Sequence, residues 1–384
     1  MAEDSSYILE PIRERADFTF YRGRERSNHM PILGVAASTD PPSPQSLRRL
    51  EHEYSPATEL GEAWAVQPIA LTRHQGRTVL ILKDPGGEPL DWLIDQHKEH
   101  PIDLTRFLRT AIGLAAALSQ AHRQGLIHKG VKPENVLVDN AGHVWLAGFG
   151  VASRLPRERQ APTTPEIIAG TLAYMSPAQT GRMNRSMDSR SDLYSLGVTL
   201  YQTLTGVLPF TAADPPEWVH CHIARQPAAL SGPRGVPEPL SAILMKLLAK
   251  NAEERYQTAA GLEADLRRCP TEWQSHGRVD SFPLGTDDSP DRLLIPEKLY
   301  GREREVDTLL AAFDRVVVQG AAELVLVSLP TGAYYTWKGS VLEGTPIEPD
   351  EQVEFDWRER RLGQDRQLDF AIESLRNLTT VRAS

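Results

Sequence analysis

The stretch from Leu126 to Gly150, LIHKGVKPENVLVDNAGHVWLAGFG, constrains the fold more than any other part of this sequence. Its centre, VLVDNAGHVWLAG, reads as a β-hairpin with its turn at Asn140 to Gly142. A His-containing loop with Lys-Pro-x-Asn leads into the hairpin, and Gly-Phe-Gly leads out of it. Helical patterns flank it on both sides. Upstream, Leu104, Phe107, Leu108, Ile112, Ala115 and Leu118 recur at helical spacing, with Gly125 as the stop. Downstream, SDLYSLGVTLYQTLTGVLPF predicts an apolar helix with Ser191 or Asp192 at its N-cap and Gly206 near its end. Two further helices are predicted in PEPLSAILMKLLAKNAEERYQTAAGLEADLRRC.

The first part of the chain, about 7–85, has a different character. FTFYRGR, MPILGVAA and RTVLILKD are short strand-like runs. Between the last two lies SPQSLRRLEHEYSPATEL, helix-like at its start, and Pro56 is expected late in that helix, where it removes a donor and clashes with the preceding turn. DPGGEP marks a turn or hinge.

Bulk properties exclude several classes. The chain has 384 residues, 40% of them apolar and 24% charged, which is globular composition. A formal charge of −9 gives no electrostatic invitation to nucleic acid or to an anionic membrane. Two cysteines, Cys221 and Cys269, with no C-x-x-C and no His cluster, argue for a reducing compartment and against a structural metal. The most apolar run, FLRTAIGLAAALSQAH, is too short and too amphipathic to span a bilayer. A cytoplasmic protein is expected.

A small β-rich lobe, a hinge and a larger helical lobe, with these motifs in this order, resembles the eukaryotic-like Ser/Thr protein kinase fold over about 7–272. The lobes divide at about 85/86, and the expected class is α+β, bilobal. GTLAYMSPAQTGRMNRSMDSRSDLYSLGVTLYQTLTGVLPF is similar to one branch, the N-terminal module of hybrids that join a kinase domain, an AAA-type ATPase and a sensor histidine kinase. The resemblance implies ATP and Mg2+ as cofactors and protein partners in a signalling pathway.

Carried over residue by residue, the resemblance is uneven. His128 matches the loop His, Lys132 the Lys that steadies the transferred phosphate, and Asn135 a metal-holding Asn. Phe149 and Gly150 match the next motif, and Asp192 matches the buried Asp that anchors the loop backbone. Gly130 and Gly148, however, stand where the family has its catalytic and magnesium-binding Asp. PILGVAA, aligned with V-A-I-K, puts Gly34 at the phosphate-gripping Lys and leaves its helix partner, Glu53, without a cation. Arg13, Arg15 and Phe18 replace glycines of the phosphate-covering loop, and Ala178 leaves Arg255 without its usual carboxylate. Thr163, Thr164 and Thr171 fall in the activation segment and read as a solvated loop.

Phosphoryl transfer depends on positioning and charge neutralisation, so loss of two carboxylates and a lysine predicts a fold kept and a chemistry lost. The expected function is a pseudoenzyme serving as a regulatory or interaction module. An active Ser/Thr kinase with substitute groups, Asp139 being the nearest spare carboxylate, and a remnant of a deleted hybrid gene are the alternatives. After an expected linker over 273–297, LYGREREVDTLLAAFDRVVVQGAAELVLVS (298–330) resembles the start of an AAA-type ATPase domain. LPTGAYYTWKG follows in place of a P-loop, and 331–384 reads as a helical tail.

Overall fold

The structure, a computed structural model, describes residues 6–289 apart from 16, 58, 97–101, 155–171, 181–186, 229 and 231–235. The expected activation-segment threonines, the ATPase-like stretch and the tail lie outside the described residues.

The small lobe is built on a five-stranded antiparallel sheet. Its strands are β1 (Tyr7–Glu14), β2 (Phe18–Glu25), β3 (Pro31–Ala37), β4 (Pro68–His74) and β5 (Arg77–Lys83), in spatial order β1-β2-β3-β5-β4. β1 and β4 are not evident in the sequence; Pro11 lies within β1 and Pro68 opens β4. Both prolines sit where the ladder slips register, and both strands are sheet edges, where a missing N–H costs least. The alternation of β3 splits the apolar residues between two faces. Ile32 and Ala36 join Tyr7, Val79 and Ile81 on the outer face, whereas Val35 joins Leu50, Leu80 and Leu82 on the inner one.

Helix α1 (Pro44–Tyr54) crosses between β3 and β4. The Ser43 side chain caps it by accepting from Ser46 N, and Pro44 takes the first-turn position where no donor is needed. The helix ends before Pro56, contrary to expectation. Ser55 closes it, and the Pro56 carbonyl accepts from the N–H groups of Glu59 and Leu60, so the proline begins the next turn and breaks nothing.

The helical lobe follows the hinge through β6 (Glu88–Pro89) and α2 (Leu90–Gln96). α3 (Leu104–Arg123) is capped by Asp103 and, with Gly125 at φ 76°, turns sharply into β7 (Leu126–Ile127). The hairpin β8 (Val136–Val138) and β9 (Val144–Leu146) pairs as expected, and β10 (Ser153–Arg154) returns to β7. α4 (Ser189–Thr205) is the central buried helix. Its N-cap is Asp188, not Ser191 or Asp192, and Gly206 closes it at φ 77°. Asp192 is thereby placed in the first helical turn, with its carboxylate free to face the loop. α5 (Pro215–Ile223), α6 (Glu238–Leu247) and α7 (Ala259–His276) complete the lobe around a core that includes Phe107, Leu114, Leu193, Leu244 and Leu262.

The chain beyond 272 remains structured to 288. α7 runs on to His276, Val279 is buried, and Phe282 lies 4.1 Å under the Arg268 guanidinium. Asp288 then accepts from the N–H groups of Gln257 and Thr258 and from the Thr258 hydroxyl, at the start of the same helix. No helix among the described residues is long and apolar enough to cross a membrane.

Candidate functional site: the interlobe cleft

Between the lobes lies a cleft of about 390 Å³. Phe20, Leu33, Val35 and Leu82 border it from the sheet, Leu137 and Ala147 from the hairpin. Arg13, Arg15, Glu53, Asp91, Lys132 and Asn135 supply its polar groups.

The loop beneath the cleft is held from below by Asp192. This fully buried carboxylate accepts from His128 N at 2.8 Å, Lys129 N at 2.7 Å and His122 Nε2 at 3.0 Å. Lys129 takes a left-handed backbone (φ 60°), and the two N–H groups aimed at one carboxylate hold it there. The His128 ring is wholly buried, and burial pushes its pKa down, so it is neutral. Its Nε2 lies 2.9 Å from the Ala147 carbonyl while Nδ1 accepts from Gly130 N, which fixes the proton on Nε2. The Phe149 ring packs 4.6 Å from that imidazole and edge-on to Trp64 at 6.1 Å, tying the loop to the segment after α1. His122 was not singled out in the sequence; its place in the last turn of α3, one strand before the loop, is the signal for it.

Asn135 sits at the centre of the chemistry-bearing end. Its Nδ2 donates to the Gly130 carbonyl at 2.8 Å. A Cβ placed on Gly148 would stand 2.5 Å from Asn135 Nδ2 and 2.7 Å from Oδ1. The amide therefore fills the space that a side chain at 148 would need, and Gly148 itself has φ 80°. Gly130 is different: a Cβ there meets nothing nearer than Val151 Cγ2 at 3.4 Å. Lys132 borders the cleft with its Nζ 4.0 Å from Glu134 Oε2.

Helix α1 presses directly on the Gly-Phe-Gly turn. A Cβ on Gly150 would come within 2.8 Å of the Arg49 carbonyl, so only glycine fits there. Glu53 Oε1 accepts from Gly148 N at 2.8 Å. The residue as a whole is half-buried, but its carboxyl is enclosed, and burial pushes its pKa up to about 7 against the N–H groups of Gly148 and Phe149.

Gly34 does not face the cleft. It pairs with Tyr21 and Ile81, and a Cβ on it would meet Tyr21 Cβ at 3.2 Å and Leu9 Cδ1 at 3.3 Å on the outer face. The β3 residues that border the cleft are Leu33 and Val35, which flank Gly34 on either side. Gly34, which the resemblance sets at the lysine position, thus lies on the face opposite to Leu33 and Val35, because neighbouring residues of a strand face opposite sides. Asp139 is likewise removed from the cleft: both its oxygens bond His143 in the hairpin turn.

Arg13 and Arg15 do more than displace glycines. Arg13 reaches Asp91 at 2.9 Å and Asp95 at 3.1 Å, and Arg15 reaches Asp91 at 2.5 Å. Below the cleft, Arg255 donates to three backbone carbonyls, those of Arg190, Ala249 and Lys250, and lies 4.9 Å over the Tyr194 ring. Burial pushes its pKa down to about 10. Gln179, next to Ala178, donates to the Lys129 carbonyl and so links the end of the activation segment to the loop. Among the described residues, no three His, Cys, Asp or Glu side chains are grouped to hold a metal.

Comparison with known proteins accounts for this layout. The protein kinase domain model matches residues 39–266, more than half of the chain. Serine/threonine-protein kinase PknB of Mycobacterium tuberculosis is 38% identical over 173 residues, 45% of this chain and 27% of that protein. A probable serine/threonine-protein kinase of Streptomyces coelicolor is 36% identical over 182 residues, covering 47% and 25% respectively. Hybrid signal transduction histidine kinase G of Dictyostelium discoideum is 27% identical over 324 residues, covering 62% and 9%. The chain thus spans about a quarter or less of the length of these relatives. The family match starts only after β3, so the strands that carry Arg13, Arg15 and Val35 lie outside it, yet the structure supplies the sheet that a small lobe requires. With a β-sheet lobe, a helical lobe and a family match over most of both, this chain belongs to the protein kinase domain family.

Proposed function

We propose that this chain is a protein-kinase-fold pseudoenzyme, a regulatory or interaction module in signalling with little or no phosphoryl transfer. The observation that carries the reading is the Asn135 side chain, bonded to the Gly130 carbonyl and filling the space beside Gly148. Magnesium requires hard oxygen ligands in near-octahedral order, and here one amide oxygen stands beside two glycines. Glu53, the carboxylate at that end, is turned onto Gly148 N. The residues present do not fit a phosphate-bound magnesium ion. Nor does the loop offer a proton acceptor at 130, and loss of general-base help alone lowers a rate by about 10²–10⁴-fold.

The likeness to a hybrid signal transduction histidine kinase supports a role within a larger signalling protein, with protein partners. A second reading, an active Ser/Thr kinase with an atypical site, draws on the likeness to bacterial serine/threonine-protein kinases and on Lys132 bordering the cleft.

A thermal-shift titration with ATP, with and without magnesium, tests the first reading. A ligand at 100 times its Kd adds about 2.7 kcal/mol of stability. No magnesium-dependent shift is expected, and a large one would count against the pseudoenzyme.

A further inference from the structure

We infer that the β1–β2 hairpin is an arginine strap that ties the small lobe to the hinge and α2 along the interlobe cleft without a ligand. Arg13, near the end of β1, and Arg15, just beyond it, both reach Asp91. They meet Asp91 and Asp95, which lie four apart on one face of α2. Arg22, on β2, reaches further along the same rim. Its Nε lies 2.8 Å from Asp84 Oδ2, Nη1 2.9 Å from Glu88 Oε1, and Nη2 donates to the Gly87 carbonyl at 2.6 Å.

Three guanidinium groups from one hairpin are thus fastened to the hinge and to α2. Arg13, Arg15, Arg22 and Asp91 all border the cleft, so the pairs lie along its edge. Asp95 and Glu88 are surface partners, 45% and 47% exposed, but the contacts to Asp84 and Asp91 are sheltered. The Asp84 and Asp91 side chains are 5% and 15% exposed, and the Arg15 guanidinium is also stacked 4.7 Å over Phe20. Partly buried, multiply bonded arginines hold their geometry better than exposed single pairs. The Asp91 Oδ1 and Glu88 Oε2 atoms are buried without a hydrogen-bond partner, so the acidic side keeps acceptor capacity toward the strap.

The consequence is a placement of the β1–β2 hairpin over the cleft that is set by intramolecular ion pairs. The inference goes beyond the proposed function and does not depend on whether phosphate is transferred.

Hydrogen–deuterium exchange of the full chain, with no nucleotide present, tests the strap. Raising salt from about 0.05 M to about 1 M shortens the Debye length from over 10 Å to about 3 Å. Backbone amides of β1 and β2 are expected to exchange about tenfold faster at high salt, while those of β4 and β5 stay within about twofold. Asp91→Asn with Asp95→Asn should give the same selective opening at low salt. Arg13→Asp and Arg15→Asp combined with Asp91→Arg and Asp95→Arg should restore protection. Exchange of β1 and β2 that is indifferent to salt overturns the strap, as does a charge-swapped chain as open as the carboxamide variant. Should the variants fail to fold, the salt series on the unaltered chain decides. Because the experiment contains no ATP, its failure leaves the proposed function standing.

Discussion

The side-chain nitrogen of Asn135 lies 2.8 Å from the carbonyl oxygen of Gly130, and that one bond links the two glycines that distinguish this cleft. It holds the amide against Gly148, so the two positions are no longer equivalent sites for a restored carboxylate.

Gly130→Asp should be accepted and Gly148→Asp should not. The first adds a Cβ at ordinary contact distance. The second forces a non-glycine residue into a left-handed backbone and displaces Asn135 from Gly130, which together cost about 2–3 kcal/mol. Urea unfolding of both variants checks this. In an Asn135→Ala background the cost of Gly148→Asp should fall, because its competitor for the space is gone; equal costs in both backgrounds would show that Asn135 is not the obstacle.

Lysine scanning of β3 should separate its faces. Gly34→Lys drives a charged chain under Leu9 and Tyr21 and should destabilise by about 1–3 kcal/mol from overpacking alone. Val35→Lys enters the cleft, which Glu53 also borders, and should cost less. Thermal melts of the two variants decide between them, and a chain that tolerates lysine at 34 better than at 35 would reverse this assignment of faces.

The Glu53 carboxyl gives the stability a pH dependence of known sign. Its pKa rises from 4.5 to about 7 on folding, so the folded chain binds the proton more tightly than the unfolded one. Its stabilising contribution is therefore present at acid pH and is lost as pH rises through about 7. Glu53→Gln keeps an acceptor for Gly148 N and removes the titration. Relative to the unaltered chain, the variant should gain about 1–3 kcal/mol between pH 5 and pH 8. A gain that is flat with pH would mean that Glu53 is ionised throughout.

Much of this site was legible in the sequence. The hairpin at Asn140–Gly142 rests on local spacing, which survives in a single sequence, while the anchor Asp192 and the Phe149 contact followed from the resemblance to the kinase fold. Which of Gly34 and Val35 faces the cleft could not be settled by spacing, because a run of small and aliphatic residues carries no alternation to fix the register. Pro56 misled because the helix ends at Ser55, so the proline never enters it. Arg13 and Arg15 read as mere losses of glycine because their partners, Asp91 and Asp95, lie some 76–82 residues away. Pairings of that kind become visible only once the lobes are folded together.

The most direct test of the central claim is transfer of labelled γ-phosphate from ATP, with magnesium, to the chain itself and to a generic Ser/Thr acceptor. A working kinase turns over at about 1–100 per second. The unaltered chain is expected to transfer no more label than a protein-free control. Transfer clearly above that control, abolished by Lys132→Ala, would contradict the account and make the atypical kinase the correct reading.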